Sequence, residues 1–544
     1  MNEAVFNVMD SVTPPECKVQ AKETAPNAEE LAKMIVLPSN SGWTISESAK
    51  VLFERIAPAQ ELFLRGGKIM RLVEDEQGRL RLDIVSGELF CSLIEKYGRP
   101  FAFRAGRDGE PELKPINCSL EIAGKLLACD ENLRLPQVKG LHSCPVIAEI
   151  AGQATVLSKG YHTANNGIII TGGYVPQEMQ IEEAVQSLKE IISEFDFVSL
   201  GDRSRALASF ITPALKAGGW LKGHIPIDIA EANASQSGKT YRQKLVFALY
   251  RESCATIAKK DGGVGGVDES ISQAMIDGRP FIQLDNFRGK LDSQFLEMVL
   301  TAGGSIPARV PHKGEIHVFA PHFIFFLTSN GAESTRDLVN RASIVRIRKK
   351  IGTIFKMYPE GDLLRHLTAR QSYYLGAVFE VIREWVRQGR PSTAETRHDF
   401  REWCGALDWI VQNILSEAPL MEGHEAAQQR VSKPELTFLR AIALAIEEEN
   451  RLGVELSASH LGELCEDHAI EIPGLKADDE DSRRKRIGVL CAKAFGESQT
   501  LEIDSYKIDR IEREQKNDCG NWKLAKFYQV SLNTAPFTQA PLAT

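Results

Sequence analysis

No C-x-x-C pair occurs among the ten cysteines of this chain (positions 17, 91, 118, 129, 144, 254, 404, 465, 491 and 519), which argues against both a zinc ribbon and an oxidised framework. They read as buried or idle thiols. Long hydrophobic runs are also missing: the longest, ITPALKAGGWL and PHFIFFLTSNG, fall well short of the ~20 residues needed to cross a bilayer. No membrane span is expected. The first thirty residues lack a basic start followed by an apolar core, so neither a secretory signal nor an Arg-rich transit peptide is read there, and the expected location is the cytoplasm. Positive charge is not in excess. With a net charge of -8, the molecule as a whole does not attract nucleic acid, and any such contact must come from local basic features. Three qualify: Lys259-Lys260, Arg341 to Lys350, and Arg483 to Arg486. Internal repeats at periods of about 20 to 50 residues are absent.

What is there is an ordinary globular composition, 43% hydrophobic and 25% charged, over 544 residues. At about 150 residues per domain that length predicts three or four domains. Residues 1–40 and 532–544 are rich in Pro, Asn and Ala with little periodicity, and both ends read as loose. Residues 41–180 mix strands and helices: KIMRLVED and LRLDIV alternate around a Gln77-Gly78 turn, while LEIAGKLLAC has helical spacing, so an N-terminal α+β domain is expected. IEEAVQSLKEIISEF and DRSRALASFITPALKAG carry apolar residues three and four apart and predict helices. From Pro226 to Lys350 short apolar strands alternate with helices, the pattern of a mainly parallel sheet. With its flanking helices this α/β core is expected over 181–420.

The run PIDIAEANASQSGKTYRQKLVFALY reads as an apolar strand, a small-residue loop and a helix opened by Gly238-Lys239-Thr240. Phosphate binding needs backbone N–H groups and a helix N-terminus aimed at phosphate oxygens, a lysine reaching the β and γ phosphates, and a hydroxyl on magnesium. Gly238, Lys239 and Thr240 supply these, with Ser237 beside them in the loop. The usual first glycine, five residues before Gly238, is Asn233 here, the non-glycine type that best tolerates a left-handed backbone.

Downstream, RPFIQLDN puts Asp285 at the end of an apolar strand 46 positions after Lys239, where a carboxylate holds magnesium through water. HFIFFLTSN ends another strand at Asn330, 45 positions later, where an amide positions the attacking water. Hydrolysis usually calls on a carboxylate directly after the magnesium-binding Asp. Here that residue is Asn286, which orients water but cannot accept its proton. Glu231 and Glu269 are the candidate substitutes, each with an ordinary acidic side chain as the blander reading.

The order Asn233 to Thr240, Asp285-Asn286, Asn330 and then DLVNRASIVRIRK resembles the AAA+ P-loop ATPase core, specifically the superfamily 3-like helicases of phages, prophages and integrative elements. The text REWVRQGRPSTAETRHDFREWCGALDWIV resembles the helical region that follows that core. The resemblance spans about residues 50 to 420 and is most specific over 226 to 350. It implies ATP and Mg2+ as cofactors, a ring-shaped homo-oligomer, commonly a hexamer, translocation on single-stranded or forked DNA, and a primase or loader as partner. By the same resemblance Arg341 matches the arginine finger that enters the neighbouring subunit's site, with Arg336, Arg346 and Arg348 close by. Between the second and third motifs, SIPARVPHKGEIHVFAPHF supplies two candidate strands around His312-Lys313-Gly314. In the family a hairpin there projects into the pore, with Lys313 gripping phosphates without reading sequence. Lys259-Lys260 with the following GGVGG is a second candidate pore loop.

The last module, 432–531, reads as three helices and a hairpin, a winged helix. Its second helix takes Ser457 as N-cap, and its third opens with Arg483, Arg484, Lys485 and Arg486, where a helix entering a groove meets phosphates. Winged helices also serve as protein-contact domains. Three functions follow from this reading: an ATP-driven helicase replicating a mobile element, an ATP-dependent switch or scaffold that assembles on DNA without unwinding, and a phage-defence ATPase.

Overall fold

The computed structural model describes residues 34–532 except 41, 77, 107, 233–237, 253, 258–265, 288–289, 292, 311–313, 330–332, 349–355, 432, 469, 471, 476–478, 504–505 and 517–521. Its centre is a six-stranded sheet built from β1 (Asp196–Phe197), β2 (Ile227–Ala232), β3 (Ala255–Ile257), β4 (Phe281–Phe287), β5 (Ile324–Ser329) and β6 (Ala342–Arg348). The spatial order is β1-β6-β2-β5-β4-β3, and every pair is parallel except β1 with β6.

Parallel strands buried on both faces read as near-continuous apolar runs, and these do. Phe281, Ile324 and Phe326 pack into one apolar cluster with the helices α1 (Leu200–Ala217), α2 (Lys239–Tyr250), Gln371–Arg387 and Arg401–Asn413. Their chain neighbours Ile282, Phe325 and Leu327 point into a second cluster with α3 (Val267–Asp277) and the helix Gln294–Thr301. Strand alternation thus divides the core into two layers, one on each side of the sheet.

The outer edge of β6 is covered by β1 only at Ile347 and Arg348. Its other backbone groups are met by loops and side chains. Val198 N–H donates to Arg346 O (3.2 Å), and Arg346 N–H donates to Asp202 Oδ1 (3.0 Å). Arg205 Nε donates to Ile344 O (2.7 Å), Ile344 N–H to His424 Nε2 (3.4 Å), and His398 Nε2 to Ala342 O (3.2 Å). Buried backbone polar groups must find partners, and here four side chains replace a neighbouring strand. Burial pulls His398 down to about 4 and His424 well below the usual imidazole value, so both rings are neutral and His424 Nε2 is free to accept.

The described residues divide into two compact units, 34–58 with 86–134, and 59–85 with 135–532. The domain expected over 41–180 is therefore shared between them. The physical reason is the core: Phe63, Met70 and Leu82 from the first insertion, with Val138, Leu141 and Ile169 from the second, are buried in the same cluster as β4 and β5. The smaller unit has its own sheet, Met34–Val36 with Arg99–Ala105 and Pro111–Pro115, and helices Ile45–Ile56, Gly87–Tyr97 and Leu120–Leu127. Each of those helices is opened by a Ser or Thr side chain accepting from a first-turn N–H, at Thr44, Ser86 and Ser119. Beyond the central sheet, helices Pro434–Glu448, Ala458–Asp467 and Glu480–Phe495 pack with a four-stranded antiparallel sheet ending in the long hairpin Tyr506–Lys516 and Trp522–Leu532. Among the described residues, no helix is long and apolar enough to cross a membrane.

Candidate nucleotide site

The carboxyl ends of β2, β5 and β4 lie side by side, with β5 in the middle. At ~4.8 Å per strand spacing, the chain leaving β2 and the end of β4 stand about 10 Å apart. Gly238 caps α2 with φ +90°, a left-handed backbone that a side chain would strain. A Cβ there would also come within 3.2 Å of the Phe195 ring. Lys239 and Thr240 are the first residues of α2, so the helix N-terminus, the positive end of its dipole, begins at this point.

Asp285 is the meeting point. Thr240 Oγ1 donates to Asp285 Oδ1 (3.4 Å), and Thr328 Oγ1, from β5, donates to the same oxygen (2.6 Å). The β4–β5 register shifts between Leu284 and Phe287, where three steps along β4 match two along β5. Asp285 and Asn286 are thus in a β-bulge, a device that re-aims side chains at the end of a ladder. Thr328 escaped the sequence reading. The available signal was its place as the first polar residue at the end of the apolar run HFIFFLTSN.

A buried polar network fastens α2 beneath this site. Arg242 forks onto Asp228 and donates to Ser209 Oγ (2.9 Å). Gln243 Nε2 donates to Asp228 Oδ1 (3.0 Å) and Leu327 O (3.2 Å), and its own Oε1 accepts from Gln283 (2.9 Å). Lys239, Arg242, Gln243, Asp228 and Gln283 are all buried. Because Gln243 is tied to β2, β4 and β5 and Arg242 to β2, α2 cannot slide along the sheet without breaking several desolvated hydrogen bonds.

Glu231 is buried, in register between Ser329 and Arg346, while Glu269 is in the first turn of α3. Arg341 precedes β6 at the opposite end of the sheet, where its carbonyl accepts from Ile227 N–H (3.1 Å). Six strand steps of about 3.3 Å separate that level from the end of β2, so the Arg341 backbone stands roughly 20 Å from the carboxyl end of that strand. Its guanidinium donates to Glu297 O (3.2 Å) and faces Asp337 (3.5 Å). Arg346 is committed elsewhere, paired with buried Asp202 (2.9 Å), and Arg348 donates to Val198 O (3.4 Å). Burial alone would raise the Asp202 carboxyl. Arg205, Arg346 and the Ser199 hydroxyl outweigh it and hold it below the ordinary range.

The expected hairpin is present as Ser305–Val310 paired antiparallel with Gly314–Phe319. Its tip, with His312 and Lys313, lies outside the described residues, as do Asn233, Ser237, Asn330, Lys259, Lys260 and the side chains of Asn286 and Arg336. In the last module Ser457 caps its helix as read. The basic quartet divides: Arg483 pairs with Glu466 and Arg486 donates to Pro473 O (2.6 Å), both turned back on their own fold. Arg484 and Lys485 remain exposed beside Asp481 (2.7 and 3.4 Å). Among the described residues, no group of three or more His, Cys, Asp or Glu side chains forms a metal cage.

This mixed α/β fold with a parallel-strand sheet is compatible with a P-loop helicase core. No protein-family model matches the chain, and no curated protein matches it. Solved structures similar to it include one described as "SCCmec type IV Cch - active helicase", 10% identical, covering 84% of this chain and 90% of that one at a TM-score of 0.31. JCV helicase is another, 11% identical over 47% of this chain and 74% of that one, with a TM-score of 0.20. Both TM-scores are below 0.5, and neither carries an argument about this chain.

Proposed function

We propose that the chain is an ATP-driven DNA helicase of the AAA+ type, working as a ring, commonly six subunits, in the replication of a phage or mobile element. The observation that carries this reading is the bulged Asp285, held by hydroxyls from the phosphate-loop helix and from the neighbouring strand. Thr240 Oγ1 and the Asp285 carboxylate are hard oxygen donors, the set magnesium prefers, and Lys239 with the α2 N-terminus supplies the positive field for β and γ phosphates. Bound magnesium would neutralise phosphate charge. The chain's own contribution is orientation: Thr328 fixes one Asp285 oxygen, and Asn330 orients the attacking water. Arg341 is out of reach of its own site and acts on the neighbouring subunit's, which makes hydrolysis depend on assembly. Lys313 at the hairpin tip grips the DNA backbone, and Arg484 and Lys485 of the winged helix add duplex contacts.

The test is unwinding of a forked duplex with ATP by the wild-type protein and by Lys239→Ala. Equal unwinding by both sinks the site assignment. A second reading, an ATP-dependent switch or scaffold that loads on DNA without unwinding, rests on Asn286, which cannot take a proton from water. DNA-stimulated hydrolysis with no strand displacement would select it.

A further inference from the structure

Residues 59–85 belong to the compact unit of the central sheet, although they precede its first strand by more than a hundred positions. They form a three-stranded antiparallel sheet, Leu62–Arg65, Lys68–Glu74 and Leu80–Ile84, with Arg65 and Lys68 paired around a Gly66-Gly67 turn. Both glycines have positive φ, +55° and +77°, as a two-residue hairpin turn demands. Phe63, Met70 and Leu82 are buried in the same cluster as Ile306, Ala308, Ile316 and Val318, the inward residues of the Ser305–Phe319 hairpin.

Two contacts make this more than shared packing. Arg65, buried, donates to Met275 O (2.8 Å) and Ile276 O (2.5 Å), capping the carbonyl end of α3, which itself packs on the Ser305–Val310 strand. Burial pulls the Arg65 guanidinium down only to about 10, so it keeps its charge. At the turn, the backbone of His317 lies so close to Gly66 that a Cβ on Gly66 would stand 2.0 Å from the His317 carbonyl oxygen. His317 pairs in register with Pro307 on the facing strand of the hairpin. Gly67, next in the chain and equally left-handed, would meet nothing within 4 Å.

We propose that Gly66 is a positioning residue for DNA engagement: the Gly66-Gly67 turn is the seat of the Ser305–Phe319 hairpin and sets the angle at which that hairpin meets DNA. The inference rests on the reading of that hairpin as the DNA grip. The two glycines provide their own control. An alanine at either position strains a left-handed turn, but only Gly66→Ala drives a methyl into the hairpin backbone.

The experiment measures ATPase of the full chain with and without forked DNA. Gly66→Ala should cut DNA stimulation by about fivefold or more while Gly67→Ala stays within about twofold of wild type, and both should keep their DNA-free rate. Equal effects of the two substitutions, or parallel loss of the DNA-free rate in Gly66→Ala, overturn the proposal. Should Gly66→Ala melt early, Arg65→Lys decides: it keeps the charge but cannot fork onto two carbonyls, and should show the same split in weaker form. Wild-type behaviour of Arg65→Lys then overturns the seat. Lys313→Ala separates the two claims. If it leaves DNA stimulation intact while Gly66→Ala removes it, the lysine grip fails and the seat stands; the reverse pattern sinks the seat alone.

Discussion

At the carboxyl end of β2, β4 and β5, Thr240, Asp285 and Thr328 converge at a helix N-terminus. At the amino end of the same strands, Phe281 and Ile324 border a cavity with His142, His322 and Glu252 in its wall. The first end is polar. At the second, titratable groups are withdrawn from water: burial lowers His142 to about 4 and raises Glu252 to about 7, although Ser143 holds the Glu252 carboxyl through its N–H (2.7 Å) and its hydroxyl (2.9 Å). On the proposed function, the same apolar strands serve chemistry at one end and cohesion at the other. Substitutions should fall into two classes, those that stop turnover at constant stability and those that lower stability.

The largest effect is expected at the phosphate end. Lys239→Ala should abolish measurable ATPase with a melting temperature within a few degrees of wild type, because it removes an electrostatic partner and little packing. An early melt would move Lys239 into the cohesive class. Arg341→Ala should cost up to about a thousandfold alone, yet mixing it with Lys239→Ala subunits should restore part of the rate. Co-assembly confirmed by size and no recovery would shift the finger to Arg336.

Asp202→Ala tests the outer edge. It strands two buried guanidinium groups, Arg205 and Arg346, and removes the acceptor for Arg346 N–H, so denaturant unfolding should register about 3–5 kcal/mol lost. Glu252→Gln tests the amino end and is expected to be smaller. A carboxyl raised from its usual value to about 7 keeps its proton in the folded state while the unfolded chain loses it. Stability then falls as pH rises between about 4.5 and 7. The Gln variant should be more stable than wild type at pH 8, by ~3 kcal/mol at most, with the gap closing near pH 5. A gap independent of pH would mean that Glu252 is not buried as a neutral acid.

The strands around Asp285 and Asn330 and the helix opening at Lys239 are local in character, and short apolar runs ending in one polar residue made them legible in the sequence. Sheet order is not local: nothing in RPFIQLDN says that HFIFFLTSN slots between it and the phosphate loop. The same applies to Thr328, whose role depends on which strand lies beside Asp285. The KIMRLVED and LRLDIV pair was readable as a hairpin, but its burial against a strand over two hundred residues later was not. The four basic residues at 483–486 looked equivalent in the sequence. Only tertiary partners distinguish Arg483 and Arg486, tied down, from Arg484 and Lys485.

The side-chain cover on β6 has a consequence for anyone shortening this protein. His398 and His424 reach back to Ala342 and Ile344 from more than fifty positions downstream. A fragment stopped just after β6 would keep Thr240, Asp285 and Thr328 and still leave Ala342 O and Ile344 N–H bare on an apolar edge strand. Such an edge recruits other strands, so the fragment should precipitate or form aggregates where the longer chain stays dispersed. On the proposed function, the limit of a well-behaved ATPase fragment is therefore set by two histidines outside the candidate site, and it falls beyond residue 424.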